Sequence, residues 1–383
     1  MHPMVKPALR HAWRERQTVQ FGVTPAHAVL VGPVDTATGS FLELLDGTRG
    51  LPLLREEARA MGLPDGRADS LVERLTAAGV IDDSDAGGRA ADALRNRAGA
   101  LDRMRPDLAS LSVVHPEPGA GIRRLAARRA MRVQVRGAGR VGAAVASVLA
   151  ASGVGRLDVL DGGCAQEWDV APGGLPAGSV GERRDVAARQ LVRRSAPGRA
   201  PRAAELAESC GEGEPPLSLV VVAPRDGLAA YAPDPAAAEP WIATGTPHLY
   251  AGVIEGTGLV GPLVLPGGTA CAGCLARGRA DRDPGWPRML AQWGSGRRRA
   301  AAVPACDLGL ATTVAGLAAA HALSFLDGEL PAGTGARWEL SLPLLDWRSE
   351  RIVPHPDCPC GAAGKREGER IAAAGAPHDT MAG

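Results

Sequence analysis

A strand, a glycine-rich turn and an apolar helix follow one another directly in the middle of this chain. Residues 131–136 (MRVQVR) read as a strand, 137–142 (GAGRVG) as a tight turn, and 143–152 as a helix of small apolar residues. A mononucleotide-binding unit requires these three parts in this order. The segment therefore predicts a Rossmann-like α/β domain; the alternative is a glycine turn that serves packing alone.

Each glycine of the turn has a distinct expected role. Gly137 permits the sharp turn, Gly139 lets backbone amides approach a phosphate, and Gly142 allows helix and strand to touch. A second strand, 156–160, ends in Asp161, where a carboxylate can accept hydrogen bonds from ribose hydroxyls. We expect these four residues to form a nucleotide-binding site.

Four of the seven cysteines form two close pairs. Cys271 and Cys274 follow a Pro-Gly-Gly turn, and Cys358 and Cys360 stand near the end of the chain. Four thiolates in two pairs match a structural tetrahedral zinc site, which leaves no open position for catalysis. The sequence predicts bound Zn²⁺ here; the alternative is two fortuitous pairs of reduced cysteines.

Charge and hydropathy exclude several partners. The 383 residues carry 43 basic and 42 acidic side chains, a net charge of +1, so no global field draws the chain to nucleic acid or an anionic membrane. The basic residues are almost all arginine; the lysines are Lys6 and Lys365. No secretory signal is visible, and the apolar run 308–326 is interpreted as a buried crossover helix. A cytoplasmic location is expected.

The N-terminal part predicts a small winged-helix-like α+β module. Residues 18–32 read as two short strands, and three helical stretches follow at 36–46, 51–62 and 66–79. The polar stretch 82–88 (DDSDAGG) is a candidate boundary. The expected division is a module at 1–83, a helical linker region at 84–130, a Rossmann-type domain at 131–360 and a disordered tail at 361–383.

From residue 131 to 360 the chain resembles the ThiF/MoeB family, the ubiquitin-activating-enzyme-like proteins. The run GAGRVG with LAASGVGRLDVLD is similar to the glycine loop and second strand of that family. The resemblance implies ATP and Mg²⁺ as possible cofactors, a homodimer, and paired cysteines that fasten the C-terminal segment. Because the second cysteine pair encloses only Pro359, His355 stays open as a substitute ligand.

The chain departs from the family pattern at several charged positions. The second acid after the strand is replaced by Gly163, no Asn-Arg-Gln segment follows, and Arg184 stands where a lysine is expected. Asp226 is the nearest candidate for the magnesium-linked aspartate. Adenylate formation depends on such cations and carboxylates, so the departures predict a degenerate ATP site.

Other residues invite a catalytic interpretation that competes with a structural one. Cys306 resembles the cysteine before the family's crossover helix and could be a nucleophile or a buried small residue. His248 and Glu255 are interpreted as structural polar groups on a sheet edge. The candidate catalytic residues are Asp226, Arg184 and Cys306.

Two functions follow from the resemblance. A winged-helix module before a ThiF-like domain is similar to the leader-peptide-binding partners of azoline-forming cyclodehydratases, in which ATP chemistry belongs to a partner enzyme. A peptide would then add as a strand beside 18–22 or 26–32. The alternative is an active adenylyltransferase acting on the C-terminus of a ubiquitin-like or sulfur-carrier protein, and a bare scaffold is a third possibility.

Overall fold

The computed structural model describes residues 1–198, 216–295 and 303–363. These residues form two compact units, Met1–Arg129 and Ala130–Gly383, each described here by itself. The division falls after Arg129, so residues 84–129 belong to the same unit as the N-terminal module. Cys210, Lys365 and residues 364–383 of the predicted tail lie outside the described residues.

Two small antiparallel sheets lie in the first unit. Its strands are β1 (Pro3–Val5), β2 (His11–Glu15), β3 (Thr18–Phe21), β4 (Val29–Val31) and β5 (Ile81–Asp83). One sheet has the order β2-β3-β4, and the other pairs β1 with β5. Since β3 has a neighbour on both sides, the edges of the three-stranded sheet are β2 and β4.

Seven helices complete the first unit: α1 (Thr36–Glu43), α2 (Leu51–Ala60), α3 (Arg67–Ala77), α4 (Gly88–Arg95), α5 (Ala98–Arg103), α6 (Arg105–Val114) and α7 (Ala120–Arg128). Leu71 and Leu75 are four residues apart on α3, so both face the core beside Leu54 and Phe41. Each fully buried leucine stabilises the unit by roughly 2 kcal/mol.

The single lysine of the first unit is completely buried. Lys6 is 0% exposed, and its Nζ donates to the backbone carbonyls of His115 at 3.1 Å and Pro116 at 3.3 Å. Burial lowers the pKa of Lys6, and the nearby carboxylates of Asp82 and Glu117 oppose that shift. This amine therefore holds the loop after α6 in place.

A seven-stranded mixed sheet forms the centre of the second unit, which confirms the α/β fold class. Its strands are β6 (Arg132–Arg136), β7 (Arg156–Leu160), β8 (Leu219–Val222), β9 (His248–Ile254), β10 (Thr257–Val264), β11 (Ala336–Ser341) and β12 (Asp346–Arg351). The order is β12-β11-β10-β9-β8-β6-β7. Strands β7, β6, β8 and β9 are parallel, and the remaining pairs are antiparallel. Val133, Gln134 and Val135 of β6 are all buried, as expected of a central parallel strand.

The described helices of the second unit are α8 (Arg140–Ala151), α9 (Arg184–Ser195), α10 (Leu228–Tyr231), α11 (Pro235–Ala243), α12 (Ala272–Arg282), α13 (Trp286–Gly294) and α14 (Leu308–Leu326). Helix α14 packs against α8 and against β9 and β10, where nine of its residues are buried. By length and composition it is also the one described helix that could cross a membrane. Its Ala-rich face instead forms part of the core, as predicted for a crossover helix.

The structure differs from the sequence-based expectation at β2. All five residues of this strand are exposed, so they lack the alternation of buried and exposed positions that predicts a strand. The strand exists because it pairs with β3, from His11 opposite Phe21 to Glu15 opposite Thr18. Its presence makes β3 internal and removes residues 18–21 as a place where a peptide could add.

Candidate functional site

The glycine turn closes tightly between β6 and α8. Gly137 has φ +111°, and a Cβ on it would lie 1.9 Å from the carbonyl oxygen of Ala223. A Cβ on Gly142 would lie 2.1 Å from the carbonyl oxygen of Gly137, and one on Gly139 would lie 3.3 Å from Arg225 Cγ. No larger residue fits at positions 137 and 142 without moving backbone. The turn thus has the close approach of strand and helix expected of a phosphate-binding loop.

Asp161 directly follows β7 beside this turn, and its carboxylate accepts hydrogen bonds from other groups of the protein. One oxygen accepts from the backbone N–H of Ala138 at 2.6 Å, and the other accepts from Arg184 Nε at 3.0 Å. Arg184 also donates to the carbonyl of Cys164 at 2.6 Å and to that of Gly162. The sequence predicts that Asp161 binds the ribose and Arg184 the phosphates of a nucleotide. In the structure these two side chains bind each other.

The pair extends into a row of four alternating charges, called the charge ladder: Asp161, Arg184, Asp169 and Arg225. Arg184 lies 3.0 Å from Asp161 and 3.8 Å from Asp169. Arg225 Nε donates to the other oxygen of Asp169 at 2.6 Å. The side chain of Asp169 is only 3% exposed, so this carboxylate depends on its arginine partners for compensation. Two cations and two anions leave the ladder with no formal net charge.

A small cavity of about 60 Å³ lies between the glycine turn and the ladder. Arg140 crosses it, donating to the carbonyls of Trp168 at 2.7 Å and Cys306 at 2.8 Å. The Arg225 guanidinium lies 5.7 Å from the centre of the Trp168 ring and donates to Gln166 at 2.6 Å. Pockets for small molecules commonly measure roughly 300 to 1,000 Å³. Arginine side chains thus fill much of the space that a nucleotide would need.

The other two candidate catalytic residues, Asp226 and Cys306, differ in their position relative to the cavity. Asp226 is absent from the cavity lining, where its neighbour Arg225 stands, and its carboxylate accepts from the N–H of Leu228 at 3.1 Å. Cys306 lines the cavity and is half-buried just before Asp307, the N-cap of α14. Burial raises the pKa of the Cys306 thiol, and the nearby Arg140 opposes this shift only in part. A raised pKa does not favour a nucleophilic thiolate.

The four paired cysteines converge although they come from distant parts of the chain. Their Sγ atoms are separated by 3.9 Å between Cys271 and Cys274, 3.6 Å between Cys271 and Cys358, and 3.5 Å between Cys274 and Cys360. All four sulfur atoms lie within 4.8 Å of one another. Tetrahedral zinc with bonds of about 2.3 Å places sulfurs about 3.8 Å apart. The donor set and its spacing therefore fit a metal ion of this kind.

Contacts around the cluster support a closed structural centre. Cys271 caps α12, and the segment with Cys358 and Cys360 follows β12. Hydrogen bonds from Cys271 and Cys360 lower the pKa of Cys274. His355 uses both ring nitrogens elsewhere, with Asp281 Oδ2 at 2.8 Å and the N–H of Asp357 at 3.1 Å. It does not join the described ligand group.

Neither His248 nor Glu255 lies on a sheet edge. His248 begins β9, which is flanked by β8 and β10, and it is 0% exposed between Trp241 and Tyr250. Its Nδ1 lies 3.2 Å from the carbonyl oxygen of Thr246, while Nε2 has no hydrogen-bond partner among the described residues. Glu255 has φ +50° in the turn between β9 and β10. The edge interpretation is corrected for both, and a structural role fits each.

The buried imidazole gives a testable pH dependence. Burial lowers the pKa of His248 from its usual 6.5 to about 4. As the pH falls through this interval the unfolded chain binds a proton that the folded chain does not, so stability falls, by about 3 kcal/mol at most. Urea unfolding at pH 7 and pH 4.5 should show a smaller loss for His248→Phe, which keeps an aromatic ring there. Equal losses in both proteins would contradict this assignment.

Several residues of the site escaped the sequence analysis. Asp169, Arg225 and Arg140 supply most of its charge, yet none matches a recognised position of the nucleotide pattern. One local signal was available, because Gln166 and Asp169 have the spacing of a capping box and form one in the structure. Arg225 could have been considered as the neighbour of Asp226.

Comparison with known proteins gives one family. The model of the ThiF family matches residues 117–361, which is more than half of the chain. No curated protein sequence matches.

Among the solved structures of similar fold are those of MccB and PaaA. E. coli MccB with ATP is 15% identical, with a TM-score of 0.66 over 94% of this chain and 99% of that chain. The microcin C7 biosynthetic enzyme MccB with N-formylated MccA is 15% identical, with a TM-score of 0.66 over 94% and 100%. PaaA is 16% identical, with a TM-score of 0.64 over 91% and 99%. At these identities the likeness concerns the fold.

Proposed function

The chain belongs to the ThiF family, and from this premise we propose that it recognises a peptide while its nucleotide site is neutralised by its own side chains. The charge ladder carries the proposal. Arg184 and Arg225, the two cations of the charge ladder, each bind a carboxylate of the protein. A nucleotide triphosphate would have to replace those carboxylates.

Replacement of this kind is unfavourable. ATP would bring its phosphates toward Asp161 and Asp169, the two carboxylates that pair with these arginines. Like charges at a site of low exposure repel strongly, and adenylate formation needs cations that are free to stabilise developing charge. The cavity of about 60 Å³ adds a steric obstacle, because Arg140 and Trp168 occupy its walls.

Peptide recognition is supported by the sheet of the first unit. Its edge strands β2 and β4 each lack a neighbour on one side within residues 1–129. An extended peptide can add to such an edge through main-chain hydrogen bonds, with its side chains giving specificity. MccB, a biosynthetic enzyme of the same fold, has been solved in complex with MccA. We extend this to leader-peptide recognition in ribosomal peptide modification, with a small carrier protein as the alternative partner.

The remaining partners follow from the same proposal. We assign Zn²⁺ to the four-cysteine cluster, where it would hold the segment after β12 against α12 and take no part in chemistry. The ATP chemistry would belong to a partner enzyme in the cytoplasm. Leu344 and Leu345 on the turn between β11 and β12 are 78% and 53% exposed, and Trp347 on β12 is 52% exposed. Such an apolar surface supports a homodimer.

An active adenylyltransferase is the second candidate. It is favoured by the close geometry of the glycine turn at the start of α8 and by the ATP complex of E. coli MccB. Asp161, Arg184 and Asp226 would then hold ATP with Mg²⁺, and the C-terminus of a carrier protein would be activated. This requires the charge ladder to open.

Calorimetric titration with Mg-ATP distinguishes the two candidates. The expected result for the wild type is no saturable heat up to roughly 1 mM nucleotide, which corresponds to binding weaker than about 4 kcal/mol. AMP and a magnesium-free titration are the controls. Micromolar binding, with ATP–pyrophosphate exchange in the presence of a carrier peptide, would contradict the proposal and establish the second candidate.

A further inference from the structure

Strand β2 borders a groove that the proposed function leaves unassigned. Two neighbouring cavities, of about 340 and 810 Å³, lie between this strand and α1. The smaller is lined by residues of β1 and the segment after it, of β2 and β3, and of the second half of α1 and the residues that follow it. The larger is lined by β2, the turn after it and the first half of α1. Three residues line both: Trp13, Gly39 and Glu43. They define what we call the groove junction.

The groove junction combines an aromatic ring with an uncompensated carboxylate. Trp13 is 55% exposed, which is unusual for an indole on a five-residue strand. The Trp13 ring rests on Gly39, since a Cβ on that glycine would lie 3.4 Å from the ring. Glu43 is exposed at the end of α1 and has no hydrogen bond or ion pair with any described residue.

The surrounding charges preserve this negative character. The Glu15 carboxylate, which also lines the larger cavity, likewise forms no hydrogen bond or ion pair with any residue described. Arg14 and Arg16 line the larger cavity but not the smaller one, and Arg14 donates a hydrogen bond to Gln20 at 3.3 Å. Lys6 lines the smaller cavity, but its ammonium group is directed to two backbone carbonyls. No cation within residues 1–129 therefore forms an ion pair with Glu43.

We propose that the peptide lies along β2 in this groove, and that the groove junction binds an arginine or lysine side chain of the peptide. The alkyl stem would cover Trp13, and the cationic head would meet the Trp13 ring and the Glu43 carboxylate. The outer side of β2 provides main-chain groups for an extended partner. The inference rests on the proposed function and specifies which edge is used and which side chain is read.

The test begins with selection of short random peptides, displayed on phage, against the full-length protein. The best peptide is then compared with a version in which its basic residue is replaced by uncharged citrulline, using fluorescence polarisation. Citrulline should weaken binding to the wild type about tenfold, because an ion pair and a cation–π contact together contribute roughly 1.4 kcal/mol. With Glu43→Gln the two peptides should bind nearly equally.

Matched variants separate this inference from the general proposal. Glu56→Gln, on an exposed position of α2 outside the groove, should keep the tenfold difference. Trp13→Ala should weaken the basic peptide, and Leu30→Glu on β4 should leave it unchanged. Selected peptides without a basic residue, or binding lost with Leu30→Glu but kept with Trp13→Ala, would overturn the inference and leave peptide recognition standing. If the wild type enriches no peptide, the proposed function itself fails.

Discussion

Replacing Cys274 with serine is expected to remove the bound metal and to destabilise the second unit by about 4 kcal/mol. The metal would join Cys271 and Cys358, which are 87 positions apart. A covalent link that closes a loop of this length contributes a stabilisation of this size through the entropy of the unfolded chain. A serine oxygen is a poor replacement, because the borderline-soft zinc ion prefers thiolates in such sites.

Two measurements check this expectation. Elemental analysis should give about one zinc per chain for the wild type and far less for Cys274→Ser. Urea unfolding should give the loss of stability. Cys164→Ser changes an exposed cysteine outside the cluster and should match the wild type in both. Wild-type protein that contains no zinc and unfolds like Cys274→Ser would refute the metal assignment.

Asp169→Asn should cost about 3 to 5 kcal/mol of stability, since it removes the carboxylate shared by Arg184 and Arg225. The amide keeps the shape of the side chain but cannot compensate two guanidinium groups at a position that is 3% exposed. Removing one partner of a buried ion pair lowers stability by this amount because the remaining charge is left without compensation. Chemical unfolding of the full chain measures it.

A surface aspartate provides the matched control. Asp185 also pairs with two arginines, Arg183 and Arg189, but their side chains are 65% and 55% exposed. Water screens such pairs, so Asp185→Asn should lose much less stability than Asp169→Asn. Asp169→Asn should also bind Mg-ATP more tightly than the wild type, because Arg225, which lines the cavity, then has no carboxylate partner among the described residues. Equal stability losses would mean that the charge ladder is no more demanding than a surface pair.

The sequence predicted best the features that are encoded by neighbouring residues. The glycine turn follows from 137–142 alone, because steric limits at Gly137 and Gly142 admit no larger residue. The parallel strands were predictable for the same local reason, since β6 and β8 are short runs buried on both faces. The two cysteine pairs were recognisable from spacing, although their convergence needed the fold.

The pairings of the charge ladder could not be predicted from such local patterns. Asp161 and Arg184 are 23 residues apart, and Asp169 and Arg225 are 56 apart. Only the sheet brings these side chains together, and many other arginines of the chain could have paired with either acid. The absence of a lysine from this part of the sequence predicts a changed phosphate clamp, but it gives no sign that Arg225 lines the cavity beside Trp168.

The edge of the small sheet shows a different limit. Strand β2 has no buried residue, and its pairing with β3 is set by partners outside the strand itself. From the sequence, a peptide is expected beside 18–22 or 26–32; the first segment contains β3, the centre of the sheet, and the second contains the edge strand β4. Exposed edge strands are difficult to predict because main-chain hydrogen bonds, which carry little sequence signal, determine them.

The buried position of Lys6 has a practical consequence for chemical labelling. The chain contains two lysines, and the Nζ of Lys6 is enclosed and bonded to two carbonyls. An amine-reactive dye or cross-linker would therefore be left with the α-amino group and Lys365. Reagents selective for the α-amino group at mildly acidic pH, where lysine is protonated, would then narrow attachment further. The fold thus takes one of the two lysines out of reach of such reagents, so labelling of Lys6 would mark unfolding of the first unit.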